Sequence, residues 1–473
     1  MRIAIVWLFL GALSSVAFGA SIPLPTITHY EMKMRIMPDE ERISCACRLI
    51  ITNTTQKPHT RIDLLLNRGF AVTEDRFFVD NETNEYREKA MGMDWYGGIQ
   101  VNRITFRLPQ PLEPGESTTI QMNYYGPLLD YTSALTYLRD SVNESYTLLR
   151  EETFAYPMLT SFAIEDAWGE KPPFTFDVEI TVPTGHVVAG SGERIKGVHN
   201  EESATFRFRS ESPTTRMAFA MARFNVTSNE ENGFTVYALP EHKEFVQKTL
   251  DIMSSAVEFY TELFGAPSRK HGLTAIDIPK GWGSQVGDAY FLQPLSRFAE
   301  TTDIRSAYRH IARAWTVEAH PDVQASRWFD VSFATYFGAL AMRKIEGADA
   351  FTDFLAQSAR AFVQRVESSE DIGRTPIAKY NTPRFARNSR TKGVLALYVL
   401  HELVGDRTFR KIVSTLIAEH SIAPAGFEDF QRISERISGL DLKKYFAEWI
   451  YGTESSDLLV QQMKWDEIVA RYR

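Results

Sequence analysis

The sequence predicts an α+β protein of two domains, an antiparallel β-sandwich or saddle followed by a mainly helical domain. Three observations carry this. A chain of 473 residues exceeds the size at which one hydrophobic core stops growing. From about residue 24 to 228 apolar residues alternate with period two. Beyond the polar stretch "SNEENG" (228–233) they recur at helical spacing. Composition adds that the chain is ordinary globular material, with 44% hydrophobic and 24% charged residues. A net charge of −8 gives no general reason to expect nucleic acid or an anionic membrane as partner.

Residues 1–19 read as a signal peptide. Arg2 gives a basic start, "IAIVWLFLGAL" is an apolar run, and Ala17 and Gly19 are small residues suited to a cleavage site. No later stretch is long and apolar enough for a transmembrane segment. The mature chain is therefore expected to be exported, secreted or periplasmic, and soluble. Four N-x-S/T triplets, at Asn53, Asn81, Asn143 and Asn225, would permit glycosylation on a eukaryotic secretory route.

The first domain, residues 20–232, opens with strand patterns. "RISCACRLIIT" puts Ile43, Cys45, Cys47, Leu49 and Ile51 on one face, and "FTFDVEITVP" does the same with Phe174, Phe176, Val178, Ile180 and Val182. Cys45 and Cys47 share a face of one strand, a spacing poorly suited to a disulfide, so two buried thiols are expected and the fold must rely on its core. In the second domain, residues 233–473, one further strand run "GFTVYALP" precedes the helical pattern "HKEFVQKTLDIMSSAVEFYTELFG", which stops at Gly265. Helices are expected over 303–318, 330–345, 391–404, 426–437 and 440–450.

Four segments, in order, carry a likeness: "PLEPGESTTIQMNYYG", "ITVPTGHVVAGSGE", "LHELVGDRTFRKIV" and "ISGLDLKKYFAEWIYG". Together they make the chain resemble the aminopeptidase N family of gluzincin zinc metallopeptidases over nearly all its mature length. The resemblance implies an aminopeptidase-like β domain and a thermolysin-like peptidase domain. It also implies zinc, held in that family by the two His and distal Glu of HExxH-x18-E, whose first Glu is the general base.

The implied chemistry fails residue by residue. "RHIARAW" matches HELAHQW, so Arg309 and Arg313 take the two His positions and His310 takes the base position. "WFDVSFA" matches WLNEGFA, which puts Asp330 beside Val331 at the third ligand, or Ser332 if the shortened interval is read the other way. The family's Y-x-K-G becomes "RTKG", with Arg390 for the Tyr, and its substrate-amine loop becomes "IPKGWGSQVGDAYFLQ", without Glu, where Gly283, Ser284 and Gln285 could line a cleft. Arginine has no lone pair for zinc and is permanently protonated. No metal or cofactor is expected.

Ile304, Tyr308, Ile311 and Trp315 form an apolar stripe that turns Arg309 and Arg313 to the other side of their helix. Two readings of Arg305, Arg309 and Arg313 stand. One is a charged face paired with Asp303, Glu318 or Asp330. The other is a pocket for an anionic group, built with Arg390 in the inherited cleft. The sequence therefore points to a catalytically inactive, peptide- or protein-binding module. An active zinc metallo-aminopeptidase with divergent ligands and a structural or surface-assembly protein are the alternatives.

Overall fold

The computed structural model describes residues 24–92, 98–160, 172–210, 213–229, 233–267, 273–287, 289–299, 301–324, 326–380 and 383–473. Residues 1–19, read from the sequence as a signal peptide, lie outside them. As the alternating pattern requires, the first domain is built from sheets. The largest has eight strands, in the order Glu193–His199, Ser203–Arg209, Thr175–Pro183, Thr26–Met37, Arg42–Thr52, Ser117–Gly126, Ala71–Val79 and Glu82–Thr83. Neighbours run antiparallel except Thr26–Met37 and Thr175–Pro183, which pair in parallel from His29↔Thr175 to Arg35↔Thr181. A parallel pair needs a long crossover, and all the strands of the four-stranded sheet lie in the chain between these two.

A four-stranded sheet (Met158–Leu159, His59–Asn67, Gln100–Leu112, Tyr86–Gly92) packs on the first. Their inner faces meet in one core that includes Met32, Leu49, Leu64, Ile104, Ile120 and Val178. Cys45 and Cys47 are both buried and both free. The Asn53 sequon is closed by folding, because its side chain is 1% exposed and its Nδ2 donates to Lys57 O and Leu112 O.

The second domain is mainly helical. Its helices of eight residues or more are α1 (Val246–Phe264), α2 (Thr301–Ile311), α3 (Phe333–Glu346), α4 (Ala348–Ser368), α5 (Lys392–Val404), α6 (Asp406–Glu419) and α7 (Phe427–Ser438). It also holds a five-stranded sheet, Asn225–Asn229, Phe234–Ala238, Thr274–Ile276, Tyr290–Leu292 and Gln285–Val286 in spatial order. Asn225–Asn229 and Phe234–Ala238 pair antiparallel, one on each side of the boundary expected at 232–233. No described helix is long and apolar enough to cross a membrane.

A third apolar cluster joins the domains. Tyr146, Leu148, Ala220 and Phe224 from the first pack with Tyr237, Ile276, Tyr290 and Leu292 from the second. Tyr146 Oη also donates to Asp277 O across this seam at 2.9 Å.

Candidate functional site

Helix α2 is fixed by its apolar stripe. Tyr308, Ile311 and Trp315 are buried, and Ile304 packs partly buried on the same core. Tyr260 of α1 donates its hydroxyl to Tyr308 O at 3.1 Å, and Trp315 Nε1 donates to Gly265 O at 2.8 Å. After Ile311 the helix tightens into a 3-10 turn, Ala312–Trp315. On the other side α3 comes close: a Cβ on Gly338 would lie 3.0 Å from Arg309 Cβ. The stem of Arg309 therefore packs against α3 while the residue as a whole stays exposed at the end of α2, with Arg313 half-buried one turn further on.

The second wall is Trp328–Ser332, wound as a π-helical turn that leads directly into α3. It begins at Arg327, whose φ of 55° is left-handed and strained for a residue with a Cβ. Its carbonyl accepts from Val331 N and Ser332 N, and its guanidinium reaches forward to Asp330 at 2.7 Å through Nε. Asp330 also accepts from Val331 N at 2.7 Å. Burial pushes the Asp330 carboxyl up, yet Arg327, Arg313 and the Val331 N–H together hold it below the usual range. It is a charged aspartate already well supplied with donors.

Arg390 closes the turn 387–390 that packs beside these residues. It is open to solvent on one side. Protein around it on the other sides, followed by the charges of Arg309, Arg313 and Arg327, brings its pKa down to about 10, against the pull of Asp330. Arg309 is lowered in the same way, by burial and then by Arg313. Among the described residues neither Arg309 nor Arg390 makes an ion pair or a side-chain hydrogen bond.

His310 is kept neutral. Burial drives its pKa well below the usual value, and Arg309, Arg313 and Arg390 drive it the same way. Its Nδ1 is buried without a partner, and Nε2 is 3.5 Å from Ser306 Oγ, at the outer limit of a hydrogen bond.

The structure thus gathers Arg309, His310, Arg313, Asp330 and Arg390 and adds Arg327, which the sequence reading missed; its place directly before Trp328 was the available signal. Val331 is 6% exposed and Ser332 is fully buried, its hydroxyl donating to Ser389 O at 2.9 Å. Arg305 belongs elsewhere. It pairs with Glu346 of α3, not with the carboxylates expected from sequence. Arg313, Arg327 and Asp330 line an interdomain cleft together with Pro173, Pro213 and Thr215 of the first domain.

The loop Gly283–Gln285 is separate from this cluster and bound to the first domain. Arg150 Nη1 donates to Gly283 O at 2.6 Å, and Gln285 Nε2 donates to Glu152 at 2.6 Å. Only Ser284 is exposed. Behind the loop Arg150 is locked to fully buried Asp140 at 2.7 Å, and Arg216 meets Glu151 at 3.0 Å. The charged run "LREET" at the end of an apolar strand was the sequence sign of this network.

These residues do not fit a zinc ion. Guanidinium groups donate hydrogen bonds and offer no lone pair, and valine offers nothing. Among the described residues no group of three or more His, Cys, Asp or Glu is placed to hold a metal.

An N-terminal β-rich domain followed by a mainly helical domain matches the two-domain architecture of the M1 zinc metallopeptidases, the aminopeptidase-like fold. The chain is similar to the M1 zinc metallopeptidase from Deinococcus radiodurans, with 16% identity, a TM-score of 0.62, and coverage of 93% of this chain and 95% of that one. A variant of that enzyme bound to a Tyr-Ser-Ala substrate gives 17% identity and 0.62 over 91% and 95% of the two chains. A two-domain M1 variant bound to L-tryptophan gives 17% and 0.60 over 93% and 95%. At such identity the likeness establishes the fold alone. No family model matches the sequence.

Proposed function

We propose that this protein is an exported, aminopeptidase-like chain that lacks zinc and peptidase chemistry and works as a peptide- or protein-binding module. One observation carries the reading: the positions that match both His ligands hold Arg309 and Arg313, which flank His310 in a positively charged cluster. A divalent cation there would meet repulsion from arginines that cannot lose their charge by ordinary titration. His310, kept neutral and surrounded by those charges, is poorly placed to act as a base toward a metal-bound water.

Elemental analysis of the purified chain, with assay of aminoacyl-coumarin cleavage before and after chelator, tests this. The expected result is zinc far below one equivalent and no chelator-sensitive turnover. Stoichiometric zinc with chelator-sensitive cleavage would instead establish the active metallo-aminopeptidase alternative.

A further inference from the structure

A second cavity, of about 390 Å³, lies outside the interdomain cleft and shares no lining residue with it. Its walls come from separate stretches of the second domain. Ala319 and Ala425 form a parallel bridge, which sets the segment 320–323 beside the start of α7. There His320 N donates to Ala425 O at 3.0 Å, and Ala425 N donates to Glu318 O at 2.8 Å. The approach is close: a Cβ on Gly426 would lie 3.3 Å from His320 Cδ2. A further wall is Tyr451, the last residue of the turn Ala447–Tyr451. Its ring meets Phe427 edge to face at 6.4 Å, and the residue is 41% exposed.

The fixed charges on these walls are of one sign. Asp322 and Glu428 are exposed, and among the described residues neither makes an ion pair or a side-chain hydrogen bond. No Lys or Arg is among the described residues that line the cavity. The N-terminus of α7 is served by Asp429, which accepts from Gly426 N at 3.0 Å and from Arg432 Nη2 at 3.0 Å. His320 faces Asp429 as well, at 3.9 Å. Glu428 lies near the aromatic wall, since the Tyr451 phenol is pushed up by burial and then by that carboxylate. One cavity thus offers an exposed aromatic face and two uncommitted carboxylates from different segments.

We propose that this cavity receives an arginine side chain carried by a peptide segment of a partner protein, with Tyr451 against the guanidinium and Asp322 and Glu428 as its counter-ions. Charge complementarity carries the choice. A cation over an aromatic face is attracted by the ring. A guanidinium adds a planar fork of N–H donors that suits carboxylates, whereas an ammonium would serve them only as a point charge. The volume of about 390 Å³ is in the range of ligand pockets and well above what one water fills. The protein's net charge of −8 draws basic chains toward it in general, and the cavity gives them a place to dock. This goes beyond the reading above, because it concerns a separate site and stands whether or not the protein binds zinc.

The test is calorimetric titration of the full chain with a capped glycine pentapeptide bearing one central arginine, its citrulline and lysine counterparts, and free arginine. The arginine peptide is expected to bind one-to-one, at least about tenfold tighter than the citrulline peptide, and to weaken as salt rises. The double substitution D322N/E428Q is expected to remove at least about tenfold in affinity. Tyr451→Leu is expected to erase the preference for arginine over lysine. D349N/E367Q removes the same charge from exposed positions of α4 and is expected to leave binding unchanged. Equal binding of the arginine and citrulline peptides, or binding of neither, overturns the inference. An equal loss in the two double variants overturns it as well, because net charge and not the cavity would then hold the peptide. Lysine binding as tightly as arginine overturns the choice of a guanidinium. Free arginine binding as tightly as the peptide overturns the choice of a peptide segment. Because the arginine and citrulline peptides are compared on the unaltered chain, the outcome does not depend on the variants folding.

Discussion

Lys392 is fully buried, and its Nζ donates to Ser456 Oγ at 3.0 Å. Burial lowers its pKa to about 7, against the raising effect of Glu454 and Asp457. An amine depressed in the folded state binds its proton more readily in the unfolded chain. The resulting destabilisation is fully present below about pH 7 and disappears as pH rises toward 10.5. Lys392→Met should therefore raise the urea midpoint most at pH 7 and below, with a gain that shrinks by up to about 1.4 kcal/mol per pH unit on the alkaline side. His401 gives the matching acid arm. It accepts from Tyr336 Oη at Nδ1 (2.7 Å) and faces Asp406 through Nε2 (3.3 Å). Burial, opposed by Asp406, lowers its pKa to about 4. Its stabilising contribution is intact above about pH 6.5 and is lost as pH falls toward 4, by up to about 3 kcal/mol. Urea titrations of a His401→Gln variant should show a flatter stability profile across that window. "HE" at 401–402 looks like the opening of a metal motif, and sequence spacing was enough to dismiss it, since no second His follows. The role His401 has instead depends on Tyr336, 65 positions away, which no local pattern reveals.

The elements were most legible where they are long and one-sided. The apolar stripe Ile304–Tyr308–Ile311–Trp315 set the orientation of α2 and turned Arg309 outward. The period-two runs around Cys45 and Val178 marked their strands. The five-stranded sheet was illegible apart from Phe234–Ala238, because strands of two or three residues such as Gln285–Val286 are too short to show alternation. The pairing of Arg305 with Glu346 was equally hidden, since it depends on how α2 crosses α3. The turn that presents Arg390 has its own constraint. Gly393, at the start of α5, lies where a Cβ would come within 2.2 Å of Ser332 Oγ and 3.1 Å of Ser332 Cβ. Gly393→Ala should lower stability by about 1–3 kcal/mol through overpacking. Adding Ser332→Ala should recover part of that loss, a coupling that a double-mutant cycle measures in thermal denaturation.

At the scale of the whole molecule, the two domains share an apolar cluster, and a buried ion pair of the first domain is hydrogen-bonded to the second. Asp140 accepts from Arg150 Nε and Nη2 and from Thr153 Oγ, while Arg150 holds Gly283 of the other domain. Asp140→Asn leaves a buried guanidinium without its counter-charge and should reduce stability by about 3–5 kcal/mol in chemical denaturation. Because the pair holds Arg150 against Gly283 at the seam, the domains of the unaltered chain should unfold together, with separate transitions in chemical denaturation visible only in the variant. Topology adds a constraint on how the chain reaches this state. Thr26–Met37, the first strand of the described chain, is an interior strand of the largest sheet. One edge zips at once to Arg42–Thr52, whereas the other must wait for Thr175–Pro183 to be made. Until then a hydrogen-bonding edge at the heart of the domain stays open to any competing strand. The nascent first domain is therefore most exposed to mispairing during the interval in which the chain between Met37 and Thr175 is made.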